Sequence, residues 1–224
     1  MDLLGRTILF SEMTPPQERE AAFNEWYDHE HIPIRMAAPG FKSAQRYRDG
    51  QTSNYLAVYE MDGPDALTTP EYSRIKNQPS DVTRSMLGAV SGFTRYIGRI
   101  IGAHSLPAAD LLPASVLYAV FFQVPTERVA DFDAWYAEDH VPLLLGDSRW
   151  MGTRRFEITD GAPSSYNRLA LHYLSDRDVL ESDARAKARA TPWRARLAQE
   201  PWFQGKYLVF DKIGRRHVAQ ANGR

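Results

Sequence analysis

Residues 23–33 read FNEWYDHEHIP, and the stretch returns at residues 132–142 as FDAWYAEDHVP, a shift of 109 positions. The same shift relates Pro16 to Pro125 and Arg46 to Arg155, so one ungapped register covers about forty residues. Two long copies of this kind indicate two fused domains, because solenoids repeat a much shorter unit several times.

Each copy has the same predicted order of elements, βαββαβ. Apolar runs and alternating patterns predict strands, and apolar residues at helical spacing predict helices that end before Pro33 and Pro142. Asp49-Gly50 and Asp160-Gly161 are the expected turns between strands. In the first copy the strands are predicted at 6–13, 41–48, 55–60 and 94–101, with helices within 17–31 and 64–90. In the second they are predicted at 116–124, 151–159, 169–173 and 206–213, with helices within 126–140 and 176–199.

The expected fold class is α+β, with two tandem ferredoxin-like βαββαβ units. Such a unit has both helices on one face of an antiparallel sheet, so the other sheet face needs a cover. Two units in one chain can supply it by packing their sheets face to face into an α/β barrel. The predicted boundaries are a first unit at 1–102, a linker at 103–113, a second unit at 114–214 and a polar tail at 215–224.

Composition excludes several functional classes. The chain has 224 residues, with 27 basic and 28 acidic side chains, so it has no charge excess that would attract nucleic acid or an anionic membrane. It has no Cys, which excludes disulfides and thiolate chemistry. No apolar run is long enough to cross a membrane. We therefore expect a cytoplasmic protein whose partner is a small molecule, with a symmetric homodimer as the possible assembly.

The segments Trp26–Pro33 and Trp135–Pro142 resemble the aromatic-Tyr-x-x-x-His-x-Pro signature of the EthD-like branch of the dimeric α/β barrel superfamily. The resemblance implies a small protein, often without a cofactor, that acts on aromatic, lactone or polyketide-like compounds as an isomerase, dehydratase, cyclase or monooxygenase. Tandem relatives include heme-binding chlorite dismutase-like and peroxidase-like proteins. The fold alone therefore leaves the chemistry open.

The motif places a phenol and an imidazole four residues apart on one helix, in Tyr27 with His31 and in Tyr136 with His140. Such side chains are neighbours. Partial burial and a nearby helix C-terminus shift the imidazole pKa in opposite directions, so titration near neutrality is expected, as general acid–base catalysis requires. The alternative is a histidine that anchors the helix end to a backbone carbonyl. His29 distinguishes the first copy, which makes it the favoured catalytic half.

Other candidates lie beside the motif. If it faces the barrel interior, Arg46 is the expected clamp for an oxyanion or carboxylate, and the alternative is an ion pair at the surface. Because His29 and His31 point in different directions on a helix, no metal site is expected there. Glu30 and Asp139 are expected to orient a histidine or, as the favoured alternative, to cap or pair nearby groups. The predicted catalytic residues are His31, Tyr27, Arg46 and His140. The predicted substrate-binding residues are Phe23, Trp26, His29, Tyr47, Tyr59, Trp135, Tyr136, Arg155 and His172.

These features lead to one main functional hypothesis and two alternatives. The main one is a lyase, dehydratase, isomerase or cyclase that transfers protons without a cofactor on a small aromatic or cyclic substrate, as in the catabolism of aromatic compounds. The first alternative is a heme protein of the tandem barrel kind, with His172 or His140 on the iron. The second is a binding protein without catalytic activity.

Overall fold

The structure is a computed structural model, and it describes residues 3–219. The strands are β1 Thr7–Met13, β2 Phe41–Asp49, β3 Tyr55–Met61, β4 Arg95–Ser105, β5 Val116–Phe122, β6 Trp150–Ala162, β7 Arg168–Leu174 and β8 Lys206–Val218. The α-helices are α1 Glu20–Trp26, α2 Ile32–Met36, α3 Pro70–Asn77, α4 Asp81–Ala89, α5 Val129–Trp135, α6 Val141–Leu144, α7 Asp183–Arg189 and α8 Pro192–Leu197. Short 3₁₀ turns lie at Gln17–Arg19, Pro64–Leu67, Thr126–Arg128 and Arg177–Glu181.

The order βαββαβ occurs twice, as predicted, and the α+β fold class is confirmed. The eight strands form a closed barrel in the order β1-β3-β2-β8-β5-β7-β6-β4. All seven residues of β1 and all seven of β5 are buried. This burial agrees with the continuous apolar sequence of β5, because a strand covered on both faces needs no polar alternation.

The first unit is built on β1, which pairs antiparallel with β3 and with β4, while β3 also pairs with β2. A bulge between Phe41 and Ser43 interrupts the pairing of β2. Side chains from the helices and one face of the sheet form the core of the unit, including Phe23, Trp26 and Tyr59. This layer between helices and sheet holds the cavity described below.

The second unit repeats that pattern. Strand β5 pairs antiparallel with β7 and β8, and β6 pairs with β7 through a bulge between Trp150 and Gly152. Its core contains the counterparts of the first, including Phe132 and Trp135. The shift of 109 carries β1 onto the bounds of β5, so the sequence repeat and the structural repeat coincide.

The two compact units of the structure have bounds that differ from the ranges predicted from the sequence. The first unit comprises the residues up to Arg99, Thr159–Pro163 and the residues from Ile213, and the second comprises Ile100–Ile158 and Ser164–Lys212. Each boundary therefore falls inside a strand. A cut at residue 102, as the sequence suggested, would divide β4.

Two predicted irregular segments are partly strand. Strand β4 continues to Ser105, into the predicted linker, and β8 continues to Val218, into the predicted polar tail, whose residues 220–224 lie outside the described chain. Hydrogen bonds hold the end of β8 in the first unit, from Gln45 Nε2 to the Ile213 carbonyl (2.8 Å). The expected turn at Gly161 is also wrong, because β6 runs through it, and a Cβ there would collide with the Tyr96 ring.

The motif helix does not end before Pro33. It changes to a π-helix at Tyr27–His31 and continues as α2 to Met36. The Ile32 amide donates to the Tyr27 carbonyl, five residues back, and Pro33 lies in the first turn of α2, where a missing N–H costs little. The second copy has the same π-helix at Tyr136–His140.

Candidate active site

A cavity of about 300 Å³ lies in the first unit, between the helices and the sheet. This volume is at the lower end of the range of small-molecule sites. Its wall is mostly aromatic and apolar, with one imidazole and two guanidinium groups, and it contains no acidic side chain. The lining residues are Leu9, Ser11, Met13, Tyr27, His31, Arg35, Tyr59, Tyr72, Leu87, Phe93 and Arg95.

His31 lines this cavity and is 4 % exposed. Its ring lies 4.3 Å from that of Trp26 and 4.7 Å from that of Tyr27, between centroids, so the predicted contact of phenol and imidazole is present. Nδ1 is buried without a hydrogen-bond partner, and no residue in 3–219 bonds to the ring. Burial, assisted by the charges of Arg35 and Arg46, holds the pKa of His31 well below its ordinary value. The imidazole is therefore neutral at pH 7, which differs from the predicted titration near neutrality.

Two phenols share the wall with His31. Burial raises the pKa of Tyr27 and raises that of Tyr59 further, so both stay protonated at neutral pH. The Tyr59 hydroxyl is buried close enough to the Tyr27 hydroxyl for the two to affect each other's pKa, but it has no partner with hydrogen-bond geometry. Buried polar groups without a partner are rare in proteins and often mark a place where a ligand binds. The cavity thus has two such groups, one on His31 and one on Tyr59.

Arg35 and Arg95 supply the positive charge of the cavity. Arg35 Nη1 donates to the His31 carbonyl (2.7 Å), and its guanidinium lies 6.0 Å from the Tyr59 ring centroid. Arg95 Nη1 pairs with Asp160 at 2.8 Å. Neither Arg35 nor Arg95 was predicted as a site residue, and Arg35 lies beyond the proline at which the helix was expected to end. The repeat could have indicated Arg35, because the equivalent position in the second copy is the apolar Leu144, so the charge is particular to the first copy.

Arg46 does not line the cavity, so the structure gives no support to its predicted role as an oxyanion clamp. Arg46 is 2 % exposed, and its guanidinium donates to Asn24 Oδ1 at 2.6 Å and pairs with Asp28 at 3.0 Å. It also lies 4.6 Å from the Tyr27 ring centroid. Arg46 therefore packs against the Tyr27 ring without lining the cavity itself. Tyr47, the next residue on β2, points to the opposite sheet face and does not line the cavity either.

Three other predicted residues of the first unit also lie outside the cavity. His29 is on the surface, where its Nδ1 contacts the Glu25 backbone carbonyl at 3.1 Å. Phe23 and Trp26 are core side chains, and Trp26 Nε1 donates to Thr83 Oγ1 at 3.0 Å. Trp26 acts on the site indirectly, because its ring packs on the imidazole of His31.

The histidine of the second motif is anchored. His140 Nδ1 contacts the Ala188 carbonyl at 3.2 Å, which is the anchoring role given above as the alternative. Burial lowers its pKa to about 4. The adjoining space, lined by Trp135 and Tyr136 among others, has a volume of only about 40 Å³.

His172 has both ring nitrogens occupied. Its Nε2 contacts the Tyr136 hydroxyl at 2.8 Å, and its Nδ1 accepts from Trp150 Nε1 at 3.1 Å and contacts Thr153 Oγ1 at 2.7 Å. Burial holds the pKa of this histidine well below its ordinary value. The predicted substrate-binding residue His172 is thus part of a closed hydrogen-bond network.

Larger side chains explain why the second space is filled. Tyr118 stands at the counterpart of Leu9, and Phe122 at that of Met13. Arg155, the counterpart of Arg46, lines a separate recess of about 10 Å³ and donates to the Asp133 carbonyl at 2.9 Å. Of the two units, the first has space for a ligand.

The two histidines considered as heme ligands do not fit that role. The ring of His172 has no free nitrogen, and His140 faces a space far smaller than a porphyrin. Within residues 3–219 no group of three or more His, Asp or Glu side chains is arranged to hold a metal ion. In the same range, no helix has both the length and the apolar character needed to span a membrane.

The chain matches no known protein-family model and no curated protein sequence. Among solved structures, it is similar to an anthrone oxidase-like protein, with 11 % identity, a TM-score of 0.68 and coverage of 96 % of this chain and 93 % of that one. It is also similar to a candidate monooxygenase from Fusobacterium nucleatum subsp. nucleatum, with 9 % identity, a TM-score of 0.64 and coverage of 95 % of this chain and 94 % of that one. A mutant chlorite dismutase from Candidatus Nitrospira defluvii is similar with 5 % identity, a TM-score of 0.58 and coverage of 93 % of this chain and 91 % of that one. The chain therefore has the fold of the dimeric α/β-barrel proteins, with two ferredoxin-like units in tandem.

Proposed function

We propose that the first unit is the active half of a cofactor-independent enzyme that transfers a proton on a small aromatic or cyclic substrate. The reaction class is lyase or dehydratase, or isomerase or cyclase, since each begins with removal of a proton from carbon. The motif at the helix end supports assignment to the EthD-like branch of the fold.

One observation carries the proposal, namely the different states of the two motif histidines. His140 is anchored to a carbonyl beside a filled space, whereas His31 has no hydrogen bond and faces the cavity. The lowered pKa keeps the His31 imidazole deprotonated at pH 7, so that its free lone pair can accept a proton, although it is a weaker base than an ordinary histidine. A histidine needed only for structure would be expected to have a partner in both copies.

The surrounding groups suit an anionic intermediate. When His31 removes a proton from a carbon next to a carbonyl, the carbonyl oxygen becomes an enolate oxygen. The protonated Tyr59 hydroxyl can donate to that oxygen, and the guanidinium of Arg35 stabilises its charge. The His31 imidazolium then returns the proton, to another carbon in an isomerisation or to a departing hydroxide in a dehydration.

Deuterium exchange tests the proton transfer without knowledge of the natural substrate. A panel of cyclic aryl ketones, starting with 2-tetralone, is incubated with the protein in D₂O, and loss of the α-proton signal is followed by NMR. We expect His31→Gln to slow the exchange by about 10²- to 10⁴-fold. His140→Gln is the matched control and should exchange at the wild-type rate, corrected for the folded fraction.

Because the pKa of His31 is lowered, the exchange rate should stay level as the pH falls to 6.5 and decline only below that value. An unchanged rate in His31→Gln, or no exchange of any ketone by the wild type, would contradict the proposal and favour a binding protein. Uptake of O₂ during the assay would instead indicate that the deprotonated substrate reacts with oxygen, as the name of the anthrone oxidase-like neighbour suggests.

A further inference from the structure

The cavity of the first unit has an unbalanced positive charge. Its lining includes Arg35 and Arg95 and no acidic residue. Arg95 has Asp160 as its partner, but Arg35 forms no ion pair with any residue in 3–219, and its only hydrogen bond goes to a backbone carbonyl. Arg35 is a partly exposed residue, and a cation that faces a cavity without a carboxylate partner has N–H groups available to an anionic ligand.

The internal repeat shows that the fold does not require this charge. The counterpart of Arg35 in the second unit is Leu144, which is 1 % exposed and packs in the core. The counterpart of Ser11 is likewise apolar, Val120. At these two positions the unit with the open cavity therefore has polar and cationic groups where the other unit has aliphatic ones, and the cations that line the smaller space of the second unit, Arg185, Arg189 and Arg194, come from other positions.

Resting on the proposed function, we infer that the ligand of this cavity is an organic anion, a planar aromatic or cyclic compound with one ionised oxygen group such as a carboxylate or phenolate. Arg35 binds the ionised oxygen through the N–H groups that do not contact the His31 carbonyl. The rings of Tyr27, Tyr59 and Tyr72 contact the planar body. The ligand is thus held with its charged end at Arg35 and its ring beside His31.

Calorimetric titration with 2-naphthoate and 2-naphthamide at pH 8 tests the inference, since the two probes share a ring system and differ in charge. We expect the wild type to bind the carboxylate about ten- to a hundredfold more tightly than the amide, as for a hydrogen bond to a charged group. Arg35→Leu, which introduces the side chain found at position 144, should abolish the preference and keep the affinity for the amide. Arg35→Lys should keep part of the preference.

Arg84→Leu is the matched control, because Arg84 is an exposed arginine of the same unit that pairs with Asp81. It should bind both probes as the wild type does. Equal binding of the two probes by the wild type, a preference that survives in Arg35→Leu, or no binding of either probe would overturn the inference. Tight binding of naphthoate without deuterium exchange would contradict only the proposed reaction, whereas exchange on neutral ketones without anion preference would contradict only the inference.

Discussion

At the scale of single residues, the two copies act as controls for each other. The motif pairs Tyr27 with His31 and Tyr136 with His140 in nearly the same geometry, with ring centroids 4.7 and 5.2 Å apart. What differs is the surroundings, where Leu9 and Arg35 are replaced by Tyr118 and Leu144. A close phenol and imidazole are therefore a property of the shared helix, and the open space beside them is particular to the first unit.

A reciprocal exchange at positions 35 and 144 should have unequal effects on stability. Leu144→Arg buries an unpaired cation in a filled core and should reduce the free energy of unfolding by about 3 to 5 kcal/mol. Arg35→Leu removes an unpaired cation from a cavity and should change it by less than about 1 kcal/mol. Urea denaturation followed by circular dichroism measures both. Equal losses would show that Arg35 has a structural role.

The sequence predicted the motif contacts but not the cavity. The spacing of Tyr27 and His31 is local and follows from helix geometry. Arg46 was predicted to bind an oxyanion or carboxylate because it is a cation on the second strand of the unit. Its side chain is instead held by Asn24 and Asp28, which are distant in sequence. Whether a polar side chain faces a ligand or a protein partner depends on such long-range pairs, and periodicity carries no information about them.

At the scale of elements, Glu30 connects the motif helix to α4. Its Oε1 accepts from the Ser80 hydroxyl at 2.5 Å and from the Thr83 hydroxyl at 2.8 Å, and Ser80 is the N-cap of α4. Asp139 makes the corresponding contact with Thr191, the N-cap of α8. These contacts agree with the capping role that the sequence analysis favoured over orientation of a histidine.

Glu30→Ala should therefore destabilise the fold without changing the chemistry. Loss of two hydrogen bonds to a carboxylate should lower the free energy of unfolding by roughly 1.5 to 3 kcal/mol. Glu25→Ala, which affects an exposed carboxylate of the same helix near His29, is the control and should be nearly neutral. If the deuterium exchange rate fell in Glu30→Ala while the protein stayed folded, Glu30 would have to be assigned to the site.

Element order and type followed from the sequence better than element ends. The patterns located all eight strands, but β4 and β8 were predicted to end four and five residues early. Their final residues alternate less clearly, and hydrogen bonds to other parts of the chain keep them extended. The π-helix was also missed, because proline is normally read as a helix stop.

At the scale of the whole molecule, buried neutral histidines should make the protein sensitive to acid. His31, His140 and His172 all have a pKa below the ordinary value of 6.5, and that of His140 is about 4. Below pH 6.5 the unfolded chain takes up protons at these positions before the folded chain does, so stability falls as the pH falls. Each histidine can lower the free energy of unfolding by up to about 1.4 kcal/mol for each pH unit of acidification.

Denaturation with urea at intervals from pH 7.5 to 5.0 measures this dependence. The free energy of unfolding should be level above pH 6.5 and decline below it. His140→Gln removes one of the histidines whose pKa is lowered, a set that also includes His104 and His217, and should show a shallower decline. A free energy of unfolding that rises on acidification through this range would contradict the assignment of neutral, buried imidazoles.

The π-helix is present in both halves, whereas the cavity is present in one. This difference bears on how the protein arose. If an ancestral gene was duplicated and joined, the π-helix predates the duplication, because both copies have it at the same position of the motif. The space beside it differs because Tyr118 and Phe122 stand where the first copy has Leu9 and Met13, so returning small side chains to positions 118 and 122 is expected to open a cavity in the second unit as well.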